Sequence, residues 1–216
     1  MLIEYVGHAC FYLTTEKGVR IIIDPYDNSI GLKPVCKTAD IVLVTHHHFD
    51  HDYLEGVSGD YEMIDKPGSY EVCGVRIVGT EIPHDHADGT KRGKVVAYKI
   101  VTDRLTFLHM GDVGIVPPER FYDWVGKVDV LMLPIGGTYT VNAEEALEII
   151  DKLRPNIAIP MHYKTTHLTM DIDTPHNFIK LAKKAFDTSQ LGGSKLEVSA
   201  DEKKKRTRII MMENSF

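Results

Sequence analysis

Long apolar runs are missing from this sequence: none approaches the ~20 residues that a membrane-spanning helix needs. Cysteine is scarce. The three residues Cys10, Cys36 and Cys73 show no CxxC spacing, which argues against a disulfide framework and leaves indifferent thiols. No GxSxG elbow and no phosphate-binding P-loop occurs, so the signatures of a serine hydrolase and of a nucleotide-cleaving enzyme are both absent. Positive charge is in deficit: 25 Lys and Arg against 31 Asp and Glu leave a formal net charge of −6. That balance opposes broad affinity for nucleic acid or for an anionic membrane, each of which needs a basic face. The N-terminal stretch MLIEYVGHACFYL has no basic leader and carries Glu4 within its apolar part, so it reads as a first strand and not as a signal peptide. A cytoplasmic location is the resulting expectation. No Pro/Ser-rich linker or low-complexity segment divides the chain, and residues 1–216 are read as a single domain.

What the chain does contain is short apolar runs bounded by turn residues. They fall at 19–23 (VRIII), 41–44 (IVLV), 75–79, 95–101, 105–110, 130–134 and 157–161, and their β-branched content and length predict buried strands. Two helices are expected. Asn142 with Glu145 three residues on makes a capping box ahead of an apolar face of Ala146, Ile149, Ile150 and Leu153. Thr174-Pro175 opens a second helix with a stripe of Phe178, Leu181, Ala182 and Ala185. The charge run at 201–206 is read as a solvated turn between LEVS and TRIIMM. Strands with interspersed helices imply a layered α/β protein.

The endings of these strands are the informative feature. Successive strands run into Asp24-Pro25, Thr45-His46, His84, Gly111-Asp112, Gly136-Gly137 and His162. Polar residues placed repeatedly at the ends of buried strands collect on one edge of a sheet, where α/β proteins build their sites. Histidine is also abundant, with eleven residues in the chain and six of them bunched at 46–51 and 84–86. In the run His46-His47-His48-Phe49-Asp50-His51, the residues His46 and His48 can face one side of an extended chain. Asp50 and His51 then turn away and can serve a second ion, while His47 falls out of register. Nitrogen and carboxylate donors suit zinc, and also iron, manganese or nickel.

Residues 45–51 resemble the signature of the metallo-β-lactamase superfamily. Around them stand IIIDP at Asp24, GHACF near the N-terminus, HMGDVG, LPIGGTYT and PMHYKT. Together they are similar to the small metal-dependent hydrolases that include ascorbate-phosphate lactonase-like proteins, over roughly residues 3–185. The resemblance implies a four-layer αββα sandwich with two mixed sheets and a binuclear centre of two divalent ions, first of all Zn2+, with Mn2+, Fe2+ or Ni2+ as alternatives. It implies that His46, His48 and a third histidine hold one ion, that Asp50, His51 and His162 hold the other, and that Asp112 bridges. For the third histidine His84 matches best, with His86 and His109 as the other candidates. By the same resemblance Asp24 orients the ligand loop without ligating, His109 supports Asp112, and His8 lines the pocket. Gly137 and Thr138 are candidates for holding substrate, as are Tyr163 and Lys164 for an anionic one. Substrate selectivity is assigned to loops 26–37, 58–70, 85–93 and 165–174, which carry no readable motif.

Two dications with two ligating aspartates and a hydroxide keep a net positive charge, which favours an anionic or polarised carbonyl or phosphoryl group. The expected activity is therefore hydrolysis of a small ester, lactone or phosphoester by a hydroxide held between two metals, with Asp50 and Asp112 as the catalytic carboxylates. Some antibiotic-destroying relatives carry Cys where Asp112 stands here; a carboxylate is harder and widens the metal choice, so a true β-lactamase is not expected. A metal-dependent nuclease acting on RNA or DNA is the main alternative, and a non-catalytic metal-binding protein another. Flavodiiron chemistry is disfavoured, because such proteins carry Glu in place of His48 and an attached flavin domain. The expected partner is a small molecule, with no membrane, nucleic acid disfavoured, and a homo-oligomer left open.

Overall fold

Aliphatic and β-branched runs build most of the molecule into strands, described by the computed structural model over residues 1–102, 104–200 and 206–215. In chain order they are β1 (Leu2–Gly7), β2 (Cys10–Thr14), β3 (Arg20–Ile23), β4 (Lys37–Thr38), β5 (Ile41–Leu43), β6 (Val57–Ser58), β7 (Glu62–Ile64), β8 (Gly68–Val72), β9 (Val75–Pro83), β10 (Lys94–Thr102), β11 (Leu105–His109), β12 (Val130–Pro134), β13 (Ile157–Met161), β14 (Asp187–Gln190), β15 (Lys195–Glu197) and β16 (Arg208–Met211). The α-helices are α1 (Glu119–Val125), α2 (Ala143–Leu153) and α3 (His176–Ala182).

Two mixed sheets form, as expected. One has the order β15-β1-β2-β3-β5-β7 and the other β14-β16-β13-β12-β11-β10-β9-β8, with β4 and β6 as a separate pair. The first sheet is antiparallel through β1, β2 and β3 and parallel from β3 to β5 and β7. The second is antiparallel from β8 to β11 and parallel through β12, β13 and β16. Parallel strands are buried on both faces, which is why β5, β12 and β13 are continuous apolar runs without alternation.

The pleat sorts β3 and β5 between two cores. Ile21, Ile23, Ile41 and Leu43 point into the main core, where they join Phe107, Leu131, Ile159 and helical residues such as Ala146 and Ile149. Ile22 and Val42 point the other way, into a cluster with Tyr26, Ile30, Val35, Leu168 and Ile172. The outer cover of the six-stranded sheet is thus built from the loops after β3 and β13. Among the described residues its helical content there is one 3-10 turn, Asn28–Ile30.

The capping box opening α2 forms as predicted: Asn142 Oδ1 accepts the Glu145 N–H at 3.0 Å, and Glu145 accepts the Asn142 N–H at 2.9 Å. The helix begun at Thr174-Pro175 is shorter than its stripe suggested. It ends at Ala182 in a tightened turn, with Ala185 N–H donating to Ala182 at 3.0 Å, so Ala185 is exposed and β14 begins two residues later. The N-terminal stretch is not one strand but the hairpin β1-β2, with His8 at its apex. Helix α1 was not expected, and neither were the exposed strands β7, β8 and β14, which lack an apolar pattern to betray them. Residues 201–205 of the charged turn lie outside the described residues.

Candidate metal centre

Because β3 and β5 are parallel neighbours in register, their exit residues meet. Asp24 N–H donates to Leu43 O at 3.0 Å, and the Asp24 side chain reaches across to the start of the histidine run. Its Oδ1 accepts the Thr45 N–H at 2.8 Å, and its Oδ2 accepts the Thr45 hydroxyl at 2.8 Å and His51 Nδ1 at 3.0 Å. Thr45 Oγ1 in turn lies 3.0 Å from His46 Nδ1. A carboxylate only accepts, so His51 carries its proton on Nδ1; the Thr45 hydroxyl, whose proton goes to Asp24, accepts from His46 Nδ1. Both Nε2 lone pairs are thereby left free on the other side of the rings. Asp24 is fully buried and takes φ 49°, a left-handed conformation that Asp tolerates.

The eight-stranded sheet brings the remaining donors from the ends of β9, β11 and β13. His84 follows β9, Asp112 follows β11 through Met110-Gly111, and His162 follows β13. Gly114 lets the chain after Asp112 pass against the backbone of His84 and Asp85, where a Cβ would collide with His84 C and Asp85 N. His162 has φ 50° and donates its N–H to the carbonyl of His8, itself at φ 53°. Non-glycine residues in the left-handed region cluster where surrounding structure over-determines them, and three of them, His8, Asp24 and His162, stand here.

The result is a buried knot of nitrogen and oxygen donors centred on Asp112. Its Oδ2 lies 3.1 Å from His162 Nε2, 3.3 Å from His51 Nε2, 3.7 Å from His84 Nε2 and 4.0 Å from His46 Nε2. Three overlapping groups have ligand-capable atoms close enough to share an ion: His46 with His48 and His84, His8 with Asp50, His51 and His162, and His46 with His51 and Asp112. His46 Nε2, His51 Nε2, His162 Nε2 and Asp112 Oδ1 are buried with no hydrogen-bond partner, and the three nitrogens lie within 4.0 Å of Asp112 Oδ2. Buried polar atoms normally find partners, and such a group of orphans around one carboxylate fits divalent cations.

Electrostatics points the same way. Burial, reinforced by neighbouring imidazoles, pushes His46 down to about 2 and His8 down to about 4, so both stay neutral and able to donate a lone pair. Burial likewise lowers His84 and His109. Burial works against ionisation of Asp50 and Asp112, yet His51 and His8 around the first, and His162 and His51 around the second, hold both well below the carboxylate range. His51 goes the other way: against its burial, Asp112, Asp50 and Asp24 raise it. Such a set of carboxylates and imidazoles is mutually stabilised once positive charge lies among them.

The other sequence candidates separate cleanly. His86 is exposed and pairs with Glu145 at 3.6 Å, away from the cluster. His109 has both nitrogens engaged, Nε2 donating to Ala9 O at 2.9 Å and Nδ1 accepting Gly111 N–H at 3.1 Å, so it ties the hairpin apex to the turn that presents Asp112. His47 is exposed between Asp52 and Asp65, each at 3.2 Å. His8 lies deeper than a pocket wall: its Nε2 is 2.9 Å from Asp50 Oδ2 and its ring 4.2 Å from that of His162. Gly137 and Thr138 form a tight turn, with Gly137 N–H committed to Val141 O at 3.2 Å. Tyr163 points into the protein, its hydroxyl donating to Met212 O at 3.2 Å, and Lys164 Nζ donates to Met170 O at 2.6 Å.

Above the cluster lies a pocket of about 260 Å3 lined by His48, Phe49, Asp50, His84, Arg92, Asp112, Tyr139 and Met170. Sequence reasoning missed four of these: Phe49, Arg92, Tyr139 and Met170. Two come from the loops at 85–93 and 165–174 that were named without being resolved into residues. A larger cavity, of about 310 Å3 beside Arg154 and Arg206, is remote from these donors and contains none of them.

Comparison with known proteins places the chain in a family. Residues 2–162 match the family model described as the Beta-lactamase superfamily domain. The chain is 31% identical to a UPF0173 metal-dependent hydrolase of Pyrococcus horikoshii, over 76% of this chain and 84% of that one. Its structure is similar to a crystal structure from Thermotoga maritima, described as that of a Zn-dependent hydrolase of the metallo-beta-lactamase superfamily, with a TM-score of 0.78, 33% identity, and 98% and 99% of the two chains covered. It is also similar to Igni18, a metallo hydrolase of Ignicoccus hospitalis, with a TM-score of 0.62, 26% identity, and 85% and 91% covered.

Proposed function

The chain belongs to the metallo-β-lactamase superfamily, and from that premise we propose that it is a metal-dependent hydrolase with two divalent ions, zinc in the first place, acting on a small ester, lactone or phosphoester. One observation carries this reading: the Asp112 carboxylate stands within 4.0 Å of four imidazoles delivered by the ends of three different strands, β5, β9 and β13. His46, His48 and His84 would hold one ion, Asp50, His51 and His162 the other, with Asp112 shared between them.

Such a metal pair, when bound, lowers the pKa of water from ~15.7 to about 7 and polarises a carbonyl or phosphoryl oxygen. The protein's own residues do the rest. Asp24 and Thr45 keep the protons of His51 and His46 on the side away from the cluster. His8 holds Asp50 from below, so that an ionised carboxylate faces the pocket and can accept a proton from water as it attacks. His109 fixes the turn that aims Asp112. The donors His46, His51, Asp112 and His162 are buried, which strengthens the charge interactions among them.

Metal quantified per chain, followed by assays against phosphodiesters, phosphomonoesters, lactones and thioesters, tests the proposal. Asp112→Ala and His162→Ala are expected to lose both metal and hydrolysis while remaining folded by circular dichroism. Full activity in both variants would overturn the assignment.

A further inference from the structure

Four residues of the pocket belong to none of the donor groups: Phe49, Arg92, Tyr139 and Met170. Arg92 is exposed, and its guanidinium carbon lies 4.3 Å from the centre of the Tyr139 ring. Among the described residues it pairs with no carboxylate, although the chain as a whole is acidic. A guanidinium stacked by its face keeps its N–H donors directed outward along its edge, the geometry that grips a carboxylate or phosphate with two bonds.

The loop that presents Arg92 is built, not loose. Asp85 follows the donor His84 directly, and its carboxylate accepts four backbone N–H groups, from Ala87 at 2.8 Å, Gly89 at 3.2 Å, Lys91 at 3.1 Å and Arg92 itself at 2.7 Å. The loop closes where Gly93 N–H donates to Gly89 O at 2.9 Å and His84 N–H to Gly93 O at 3.1 Å. Tyr139 stands on the tight turn closed by Thr140 N–H on Gly137 O at 2.6 Å. Both partners of the stack are thus fixed at their backbones before any ligand arrives, which lowers the ordering cost of binding.

The rest of the wall is apolar. Phe49 is 63% exposed at the pocket mouth, the most exposed large hydrophobic side chain among the described residues. Met170 lines the same pocket, and its carbonyl is held by Lys164 Nζ. The other basic side chain near the centre, Lys164, is spent on that bond. Arg92 is left as the cation of the pocket lining. At about 260 Å3 the pocket falls below the about 300–1,000 Å3 typical of drug-sized ligands.

We infer that the enzyme selects a compact substrate with an oxyanion remote from the bond it cleaves: Arg92 grips that anion, Tyr139 positions Arg92, and Phe49 with Met170 receive a short apolar segment. The inference deepens the hydrolase reading and rests on it only for the cleavage step.

The metal-loaded protein and its variants are titrated calorimetrically with glutaranilic acid and with butyranilide, which differ only in a terminal carboxylate. Hydrolysis of the matching esters, phenyl hydrogen glutarate and phenyl butyrate, is followed in parallel. The acid should bind about 10- to 100-fold more tightly than the neutral anilide, the range of a charge-assisted hydrogen-bonded pair. Arg92→Ala should erase that ratio with bound metal unchanged, and Arg92→Lys should restore only part of it. Tyr139→Leu should raise KM for the anionic ester and leave kcat, and Tyr139→Phe, which keeps the ring, should behave as wild type. Equal affinity for the two anilides, or a preference that survives Arg92→Ala, overturns the inference. If neither ester nor any phosphoester is cleaved while the Arg92-dependent preference stands, the hydrolase reading fails and the anion site holds.

Discussion

Asp24→Asn is the sharpest probe of how this fold prepares its donors. Asn fits the left-handed backbone at φ 49° as readily as Asp, so the substitution adds no backbone strain. The Thr45 N–H can only donate, which places the amide oxygen of the variant at the Oδ1 position and its NH2 group where Oδ2 now accepts from Thr45 Oγ1 and His51 Nδ1. His51 Nδ1 must then accept, and its proton moves to Nε2, 3.3 Å from Asp112 and 3.4 Å from Asp50, in the direction of the metal. Thr45, now receiving a proton from the amide, no longer needs to accept from His46 Nδ1, so the second donor loses its enforced tautomer as well. Loss of such an outer partner lowers metal affinity about 10- to 100-fold, or about 1.4–2.7 kcal/mol. The metal-free variant should keep most of its stability, because each buried donor still faces a polar atom. Asp24→Ala should not: it leaves three buried groups unpaired at about 1–3 kcal/mol each. Competition with a chelating dye measures the affinities and thermal unfolding by circular dichroism the stabilities. Wild-type metal affinity in Asp24→Asn would refute the tautomer argument, and a metal-free Asp24→Asn as unstable as Asp24→Ala would show that Asp24 acts only as a structural tie.

Other consequences are equally accessible. Thr45→Val removes the relay to His46 but leaves Asp24 on His51, so it should weaken metal binding less than Asp24→Asn in the same dye competition. Gly114→Ala forces the His84 and Asp85 backbone to move, and should both lower Tm and weaken metal binding, by chelator titration, far more than an alanine at exposed Gly192, which meets nothing within 4 Å. His8→Ala frees the Asp50 carboxylate and opens a buried hole; loss of metal affinity without restoration by His8→Gln, which keeps a donor, would argue for packing over positioning. For the metal-free protein, His8 and His46 titrate far below the unfolded histidine value, so the unfolded chain binds more protons and stability falls as pH drops below about 6.5. His51 is raised, so its contribution is complete below about 6.5 and is lost as pH climbs through its folded value. Tm measured against pH should therefore peak near pH 6.5, and a monotonic profile would contradict these directions.

By itself the sequence determined the apolar strands and the cluster of candidate donors at their ends. Seven apolar runs, read from β-branched content and turn residues, all became strands, and the capping box at Asn142 opened α2, because these signals are local and act through a few neighbouring residues. The HxHxDH run, Asp112 and His162 were legible for the same reason: each lies within a residue or a few of a strand end whose direction the pattern already sets. Polar strands such as β7 and β14 were not legible, since their pairing is decided by the sheet edge they meet. Only the tertiary structure brings His84 into the cluster and keeps His86 and His109 out of it, by burying the first against Asp112, leaving the second in solvent and using both nitrogens of the third. It also took Lys164 and Tyr163 out of the pocket and put Arg92 and Tyr139 in, although nothing in their local sequence marks them. Metal donors are rare residue types in a narrow spacing, so they announce themselves. A substrate wall is a meeting of ordinary side chains from distant loops, and their proximity exists only once the chain has folded.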